Sequence, residues 1–246
     1  MEARIHGALS DIPAREWDAL HDGRNPFVAH AFLAGLEDHG CLRASFGWTP
    51  CHVALHDGDA LVGAVPGYRK RNSHGEFVFD HAWAQAYARH GVPYFPKWLG
   101  AVPYTPVTGP RLLARDAATR RALAAAVVAL TRDAGWSSAH VDFHRDEEAE
   151  AFDAAWIPRI DVQYHWENRG SKHGGAWPDF DAFLAAMDHK HRKNIRQERA
   201  KLARHGVRFR IVHGDEASDD GISAARWRRN GSVNAGWLPY CANVRR

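Results

Sequence analysis

Apolar positions recur at helical spacing early in the chain, through Phe27, Phe32, Leu33 and Leu36. Asn25-Pro26 precedes them as a start signal, and Gly40 follows where a helix-ending glycine belongs. A shorter helix is expected around Trp17 and Leu20. The pattern then changes. His52–His56 reads as a strand, Asp57-Gly58 as a hairpin turn and Leu61–Val65 as the return strand. A basic turn, Tyr68-Arg69-Lys70-Arg71, leads to a third expected strand at Glu76–Asp80. Residues 91–113 are rich in Pro, Gly and aromatics and read as a stiff, partly buried loop. Asp116 caps a helix through Leu123, Val127 and Leu130 that Gly135 ends. A strand at Ala139–Phe143, a helix over 146–155 and a strand at Ile160–Trp166 follow. A long helix is expected from Asp179 or Asp181 to His205, and Val207–Val212 alternates as a strand. Helices and strands in this order predict an α/β (α+β) fold with a mixed sheet flanked by helices.

Composition narrows the function classes. Hydrophobic residues make up 45% and charged residues 25% of the 246, which excludes general disorder and coiled coils. The net charge is only +3, so bulk electrostatics does not drive nucleic-acid binding and any anion site must be local. No apolar run is long enough to span a bilayer, and no secretory h-region opens the chain. Three cysteines without a CxxC pair fit a reducing cytoplasm.

No dinucleotide, Walker, zincin or nucleophile-elbow motif is present. His140, Asp142 and His144 share one strand face, a metal pattern for which a polar outer face is the simpler reading. Lys190–Arg204 holds seven cations in fifteen residues, opposed only by Glu198. Arg192, Arg196 and Arg199 share one helix face with Lys193 beside it. Such neighbours repel unless an anion neutralises them, so a solvated face and a phosphate site are the two alternatives. Glu76, Asp80 and Asp142 are carboxylates that become general bases if desolvated.

Longer segments carry a family resemblance. They are Ser73–Asp80 with Trp83–Tyr87, Tyr94-Phe-Pro96-Lys97, Val102–Leu113, Gln163-Tyr-His165-Trp166 and Arg192–Arg199. Together they resemble the FemAB-like peptidoglycan biosynthesis/recognition proteins, which are similar to the GNAT (Gcn5-related N-acetyltransferase) superfamily. The resemblance implies one complete GNAT-like domain over 1–165. It implies a linker, basic helix and first strand of a second, incomplete domain over 166–216. It further implies transfer of an acyl or aminoacyl group to an amine, with a cell-wall precursor as acceptor. The resemblance leaves aminoacyl-tRNA and an acyl-CoA as alternative donors and implies no bound cofactor. A Gly-rich pyrophosphate loop of the acetyl-CoA type is not evident after the hairpin. Glu76, Asp80, Tyr104 and Thr105 are the implied catalytic residues. Lys97, Arg111, Gln163, His165, Trp166, Arg192, Lys193, Arg196 and Arg199 are the implied substrate or phosphate contacts. A non-catalytic phosphate- or RNA-binding module and an inactive truncated product are the competing readings. Residues 217–246 carry five Arg, no Lys and no helical or strand period, as a tail read out of frame would.

Overall fold

The computed structural model describes residues 1–164, 166, 168 and 175–208. It divides into two units, with described parts 1–157 and 158–208.

The first unit is a mixed α/β fold, as the alternation predicts. Its strands are β1 (Glu2–His6), β2 (Trp48–Pro50), β3 (His52–Asp57), β4 (Ala60–Val65), β5 (Gly67–Lys70), β6 (Lys97–Gly100), β7 (Leu113–Ala114) and β8 (Ala139–Val141). Its helices are α1 (Ala14–Asp18), α2 (His30–Asp38), α3 (His81–Arg89) and α4 (Ala117–Asp133). One sheet runs β1-β3-β4-β7, all antiparallel. The other runs β2-β5-β6-β8, antiparallel except for the parallel β6–β8 pair.

The two sheets share one bent hairpin. Cys51 interrupts the outgoing arm and Pro66 the return, so β2–β3 and β4–β5 each pass from one sheet to the other. The Cys51 N–H to Gly67 O bond, 2.8 Å, holds the corner. Gly67 is required there, because a Cβ would lie 2.4 Å from Cys51 O and from the Trp98 ring. Alternation along β3 then builds a core on each face. Ala54 packs with Trp17, Val28 and Leu33 under α1 and α2, while Val53 and Leu55 pack with Leu123 and Val127 of α4. The Trp17 indole N–H, fully buried, donates to Val28 O at 2.8 Å.

Caps follow the sequence. Asn25 accepts from Phe27 N–H, although 26–28 is a single 3-10 turn and the helix starts at His30. Gly40, at φ 67°, closes α2 with Gly40 N–H on Glu37 O and Cys41 N–H on Leu36 O. Asp116 accepts from Thr119 N–H at 2.8 Å.

Other expectations are corrected. The basic turn 68–71 is strand β5 through Lys70, and the strand expected at 76–80 is a loop. Phe77 and Phe79 take φ of 64° and 49°, which no strand accommodates. Within the Pro-rich 91–113 stretch, Lys97–Gly100 is a buried strand. The segment after β8 forms a 3-10 helix over Asp146–Ala151 rather than an α-helix to 155. The N-terminal strand β1 was hidden because nearly all its side chains face solvent.

In the second unit, residues 160–164 and 166 form no strand, and Ile160, Val162, Tyr164 and Trp166 are exposed. The long helix expected here is two: α5 (Phe180–Ala185) and α6 (His189–Arg204). Asp179 caps the first as expected, through Ala182 N–H. Asp188 breaks the run because its carboxylate accepts from His191 N–H and starts a new helix. His165 and the strand expected at 207–212, beyond Arg208, lie outside the described residues, as does the 217–246 tail.

Candidate functional site

The register of β5 and β6 sets Lys70 directly opposite Lys97. Like charges so placed repel, and both side chains are fully buried. The 71–80 loop supplies the answer. Glu76 Oε2 lies 2.7 Å from Lys97 Nζ and Oε1 lies 3.8 Å from Lys70 Nζ. Asp80 Oδ2 accepts from Lys97 Nζ at 2.6 Å and from the Tyr94 hydroxyl at 2.6 Å. Lys70 Nζ also donates to His74 O at 3.0 Å and sits 3.5 Å over the Trp48 ring. Asp80 stands at the start of α3 but makes no capping bond, because its carboxylate is turned to Lys97 and Tyr94.

Backbone strain surrounds this cluster. Among the described residues, the non-glycine residues with positive φ are four aromatics: Phe77, Phe79, Tyr104 and Phe143. Each costs about 1 kcal/mol. Phe77 and Phe79 separate Glu76 from Asp80, and Phe143 follows Asp142. Gly75, at φ 80°, packs so tightly on Tyr104 that a Cβ would sit 2.6 Å from its ring.

Asp142 follows β8 at the C-terminal end of the parallel β6–β8 pair, its N–H bonded to Gly100 O at 2.9 Å. Its Oδ2 is buried with no hydrogen-bond partner among the described residues. Desolvation pushes its carboxyl up to about 7; Glu76 and Asp80 push the same way, against Lys97 and Arg111. Burial pulls the Lys70 ammonium down to about 7, against the pull of Glu76. Glu76 is likewise raised by burial, against the charge of Lys97. Burial pushes Asp80 up too, but the donors around it, Lys97 foremost, outweigh that and leave it below the usual carboxylate range. The cluster therefore holds Lys97 locked between Glu76 and Asp80, while burial shifts Asp142 and Lys70 toward neutrality from opposite sides.

A clamp fixes Asp142 from behind. The buried Arg111 guanidinium donates to the main-chain carbonyls of Asp142 (2.9 Å), Pro110 (3.1 Å) and Val107 (2.8 Å). Burial lowers it to about 10, against the charges of Glu148 and Asp142. Glu148, 2% exposed, accepts the N–H groups of Arg111, Leu112 and Arg145.

Of the residues implied from sequence, Glu76, Asp80 and Lys97 come together, with Arg111 one step behind. Tyr104 packs on Trp48 and donates to Cys41 O at 2.9 Å, so its hydroxyl braces the loop. Thr105 Oγ1 accepts from Val107 N–H within a turn. The other unit carries the rest. Gln163 is half-buried, Trp166 stacks edge-on against Phe183, Arg192 donates to Ala185 O at 3.1 Å and Arg199 lies 4.6 Å over Phe180. Lys193 and Arg196 are exposed. His140, Asp142 and His144 do not converge as ligands. His140 Nε2 pairs with Ser138 Oγ, His144 Nδ1 with Arg145 O, and no metal-binding group occurs among the described residues.

Lys70, Tyr94 and Glu148 were missed by sequence reasoning. Lys70 had a signal, since Tyr68 and Lys70 alternate inward along one strand. Glu148 had none, because Asp-Glu-Glu-Ala-Glu reads as a solvated acidic turn.

Among solved structures, TTHA1254 from Thermus thermophilus is similar, as a mutant and as the wild type. The identities are 17% and 16% and the TM-scores 0.36 and 0.35; each match covers 69% of this chain and 99% of that chain. No curated protein matches. The sequence itself matches the FemAB-like family, described as peptidoglycan biosynthesis/recognition, over residues 8–234, which runs into the stretch from 217 set apart as a tail above; the chain belongs to that family.

Proposed function

We propose that this protein transfers an acyl or aminoacyl group to an amine, in the GNAT manner, with a peptidoglycan precursor as acceptor. The observation that supports it is Asp142: a half-buried carboxyl at the end of two parallel strands, with an unpartnered oxygen and a pKa near neutrality. An attacking amine exists mostly as ammonium at pH 7 and must lose a proton before it is a nucleophile. Asp142 accepts that proton. The nitrogen then attacks the donor carbonyl, the C–N bond forms, and the bond to the leaving group breaks. Protonated Asp142 returns the proton to the departing oxygen or sulfur, and the extra proton on the new amide nitrogen passes to water, which leaves the enzyme as it began. Lys97, Glu76 and Asp80 keep the surroundings dry and charged, and Lys70 supplies positive potential for the oxyanion.

The test is transfer of labelled acyl groups from aminoacyl-tRNA and from acyl-CoA to a peptidoglycan precursor. Asp142→Asn should lower kcat by about 10²–10⁴ and remove an apparent pKa near 7 from the pH profile. Asp142→Glu should restore part of the rate. A full rate in the Asn variant would defeat the assignment. Saturable precursor binding without turnover by any donor would leave the recognition reading. That reading draws on α6, where replacing Lys193 and Arg196 by Gln should weaken binding most at low salt.

A further inference from the structure

A cavity of about 340 Å³ lies between the α1–α2 connection, β7 with the start of α4, and the 145–148 segment. Its volume is in the range of small-ligand pockets. Leu20, Leu112 and Leu113 give it an apolar floor, and the remaining lining is mostly charged.

Two of the polar lining groups are already committed. His21 pairs with Asp18 through Nε2 and accepts Gly23 N–H at Nδ1. Glu148 is spent on three main-chain N–H groups. The others fall into two sets of opposite sign. Arg145 lies between Asp22 (3.7 Å) and Glu147 (3.3 Å), one cation facing two carboxylates. Arg115 and Arg120 form the second set. Their nearest acid along the chain, Asp116, is occupied in capping α4 through Thr119 N–H and Oγ1. Arg115 donates twice to Ala19 O, and Arg120 Nη1 donates to Ala114 O. Arg120 Nε is buried with no partner among the described residues. A desolvated guanidinium N–H without an acceptor is costly, and Arg120 lines the cavity together with Arg115.

We propose that this cavity binds a zwitterion of amino-acid or dipeptide size. The carboxylate docks on Arg115 and Arg120, and the ammonium docks on the carboxylates beside Arg145. A plain anion satisfies the arginines but leaves the acidic set with its surplus charge, and a plain amine does the reverse. The site is distinct from the Asp142 cluster, and the proposal stands whether or not the chain is a transferase.

The probe is glycylglycine, titrated into the full chain by calorimetry with amide NMR shifts at Leu113 and Ala114 as the local readout. N-acetylglycylglycine lacks the ammonium and glycylglycinamide lacks the carboxylate. Saturable binding of glycylglycine, with both blocked forms weaker by about tenfold or more, supports the proposal. Arg120→Gln should weaken glycylglycine about tenfold as well. Because Arg120 also holds Ala114 O, Glu147→Gln at the exposed rim serves as the second variant. It should weaken glycylglycine but leave N-acetylglycylglycine unchanged. Absence of saturable binding, equal binding of the N-acetyl form, or full affinity in Glu147→Gln would each overturn the proposal.

Discussion

Replacing Asp142 by Asn removes one titration from the folded chain. In the folded chain the carboxyl is raised to about 7 from its ordinary 3.8. Each pKa unit corresponds to about 1.4 kcal/mol, so the shift has a ceiling of about 4 kcal/mol. The sign follows from linkage. Between about pH 4 and about pH 7 the folded protein keeps a proton that the unfolded chain has lost, so stability falls as pH rises through that window. Below it the group contributes no slope, and above it the destabilisation is complete. Asn cannot ionise. Its buried amide lacks a partner at the same place, which costs about 1–3 kcal/mol at every pH. The difference in stability between variant and parent should therefore shift in favour of Asn by up to about 4 kcal/mol from about pH 4 to about pH 8, independent of that constant cost. Lys70 does not obscure the window. Depressed to about 7 from 10.5, it makes stability rise with pH only above neutrality. Urea unfolding at four or five pH values measures the difference, and side-chain carboxyl NMR of the parent reports the midpoint directly. Parallel stability profiles, or an Asp142 midpoint near 4, would refute the raised carboxyl with its buried, unpartnered Oδ2 on which the catalytic proposal stands.

Three more substitutions probe the surrounding architecture. Lys97→Met strands Glu76 and Asp80 as buried carboxylates and should cost about 3–5 kcal/mol in urea unfolding, with partial recovery at low pH as they protonate. Glu148→Gln leaves one oxygen to serve three N–H groups and should cost about 2–4 kcal/mol, with faster amide exchange at Arg111 and Leu112. Gly75→Ala meets both a positive φ and the Tyr104 ring 2.6 Å away. It should lower stability by more than about 1 kcal/mol and shift the near-UV signal of Trp48 and Tyr104.

The parts of this protein that were legible in its sequence are those set by neighbours in the chain. Asp116, Asp179 and Gly40 act within four residues of themselves, so their types and spacing suffice to place helix ends. The Asp57-Gly58 turn and the alternation on either side gave the β3–β4 hairpin for the same reason. The site is legible only in part because its logic is non-local. Glu-Phe-Val-Phe-Asp over 76–80 has the period of a strand, yet Phe77 and Phe79 take left-handed backbone conformations that residue type gives no hint of. That loop turns both acids inward because two lysines face each other across β5 and β6, and the β6 lysine lies 27 positions beyond Lys70 in the chain. No local pattern encodes the pairing, whereas the family resemblance carried three of its members at once. The same argument explains Asp142. As one carboxylate among many it had no distinguishing context. Its raised carboxyl comes from burial at the sheet end and from the charges of the acidic loop, against those of Lys97 and Arg111, and these groups arrive from separate stretches of sequence. Strain supports this reading. The fold holds four aromatics in an unfavourable conformation beside the cluster, at a cost of about 4 kcal/mol in all. Tyr104 recovers part of that cost by packing on Trp48, and Phe77 and Phe79 lie in the loop that brings Glu76 and Asp80 to Lys97.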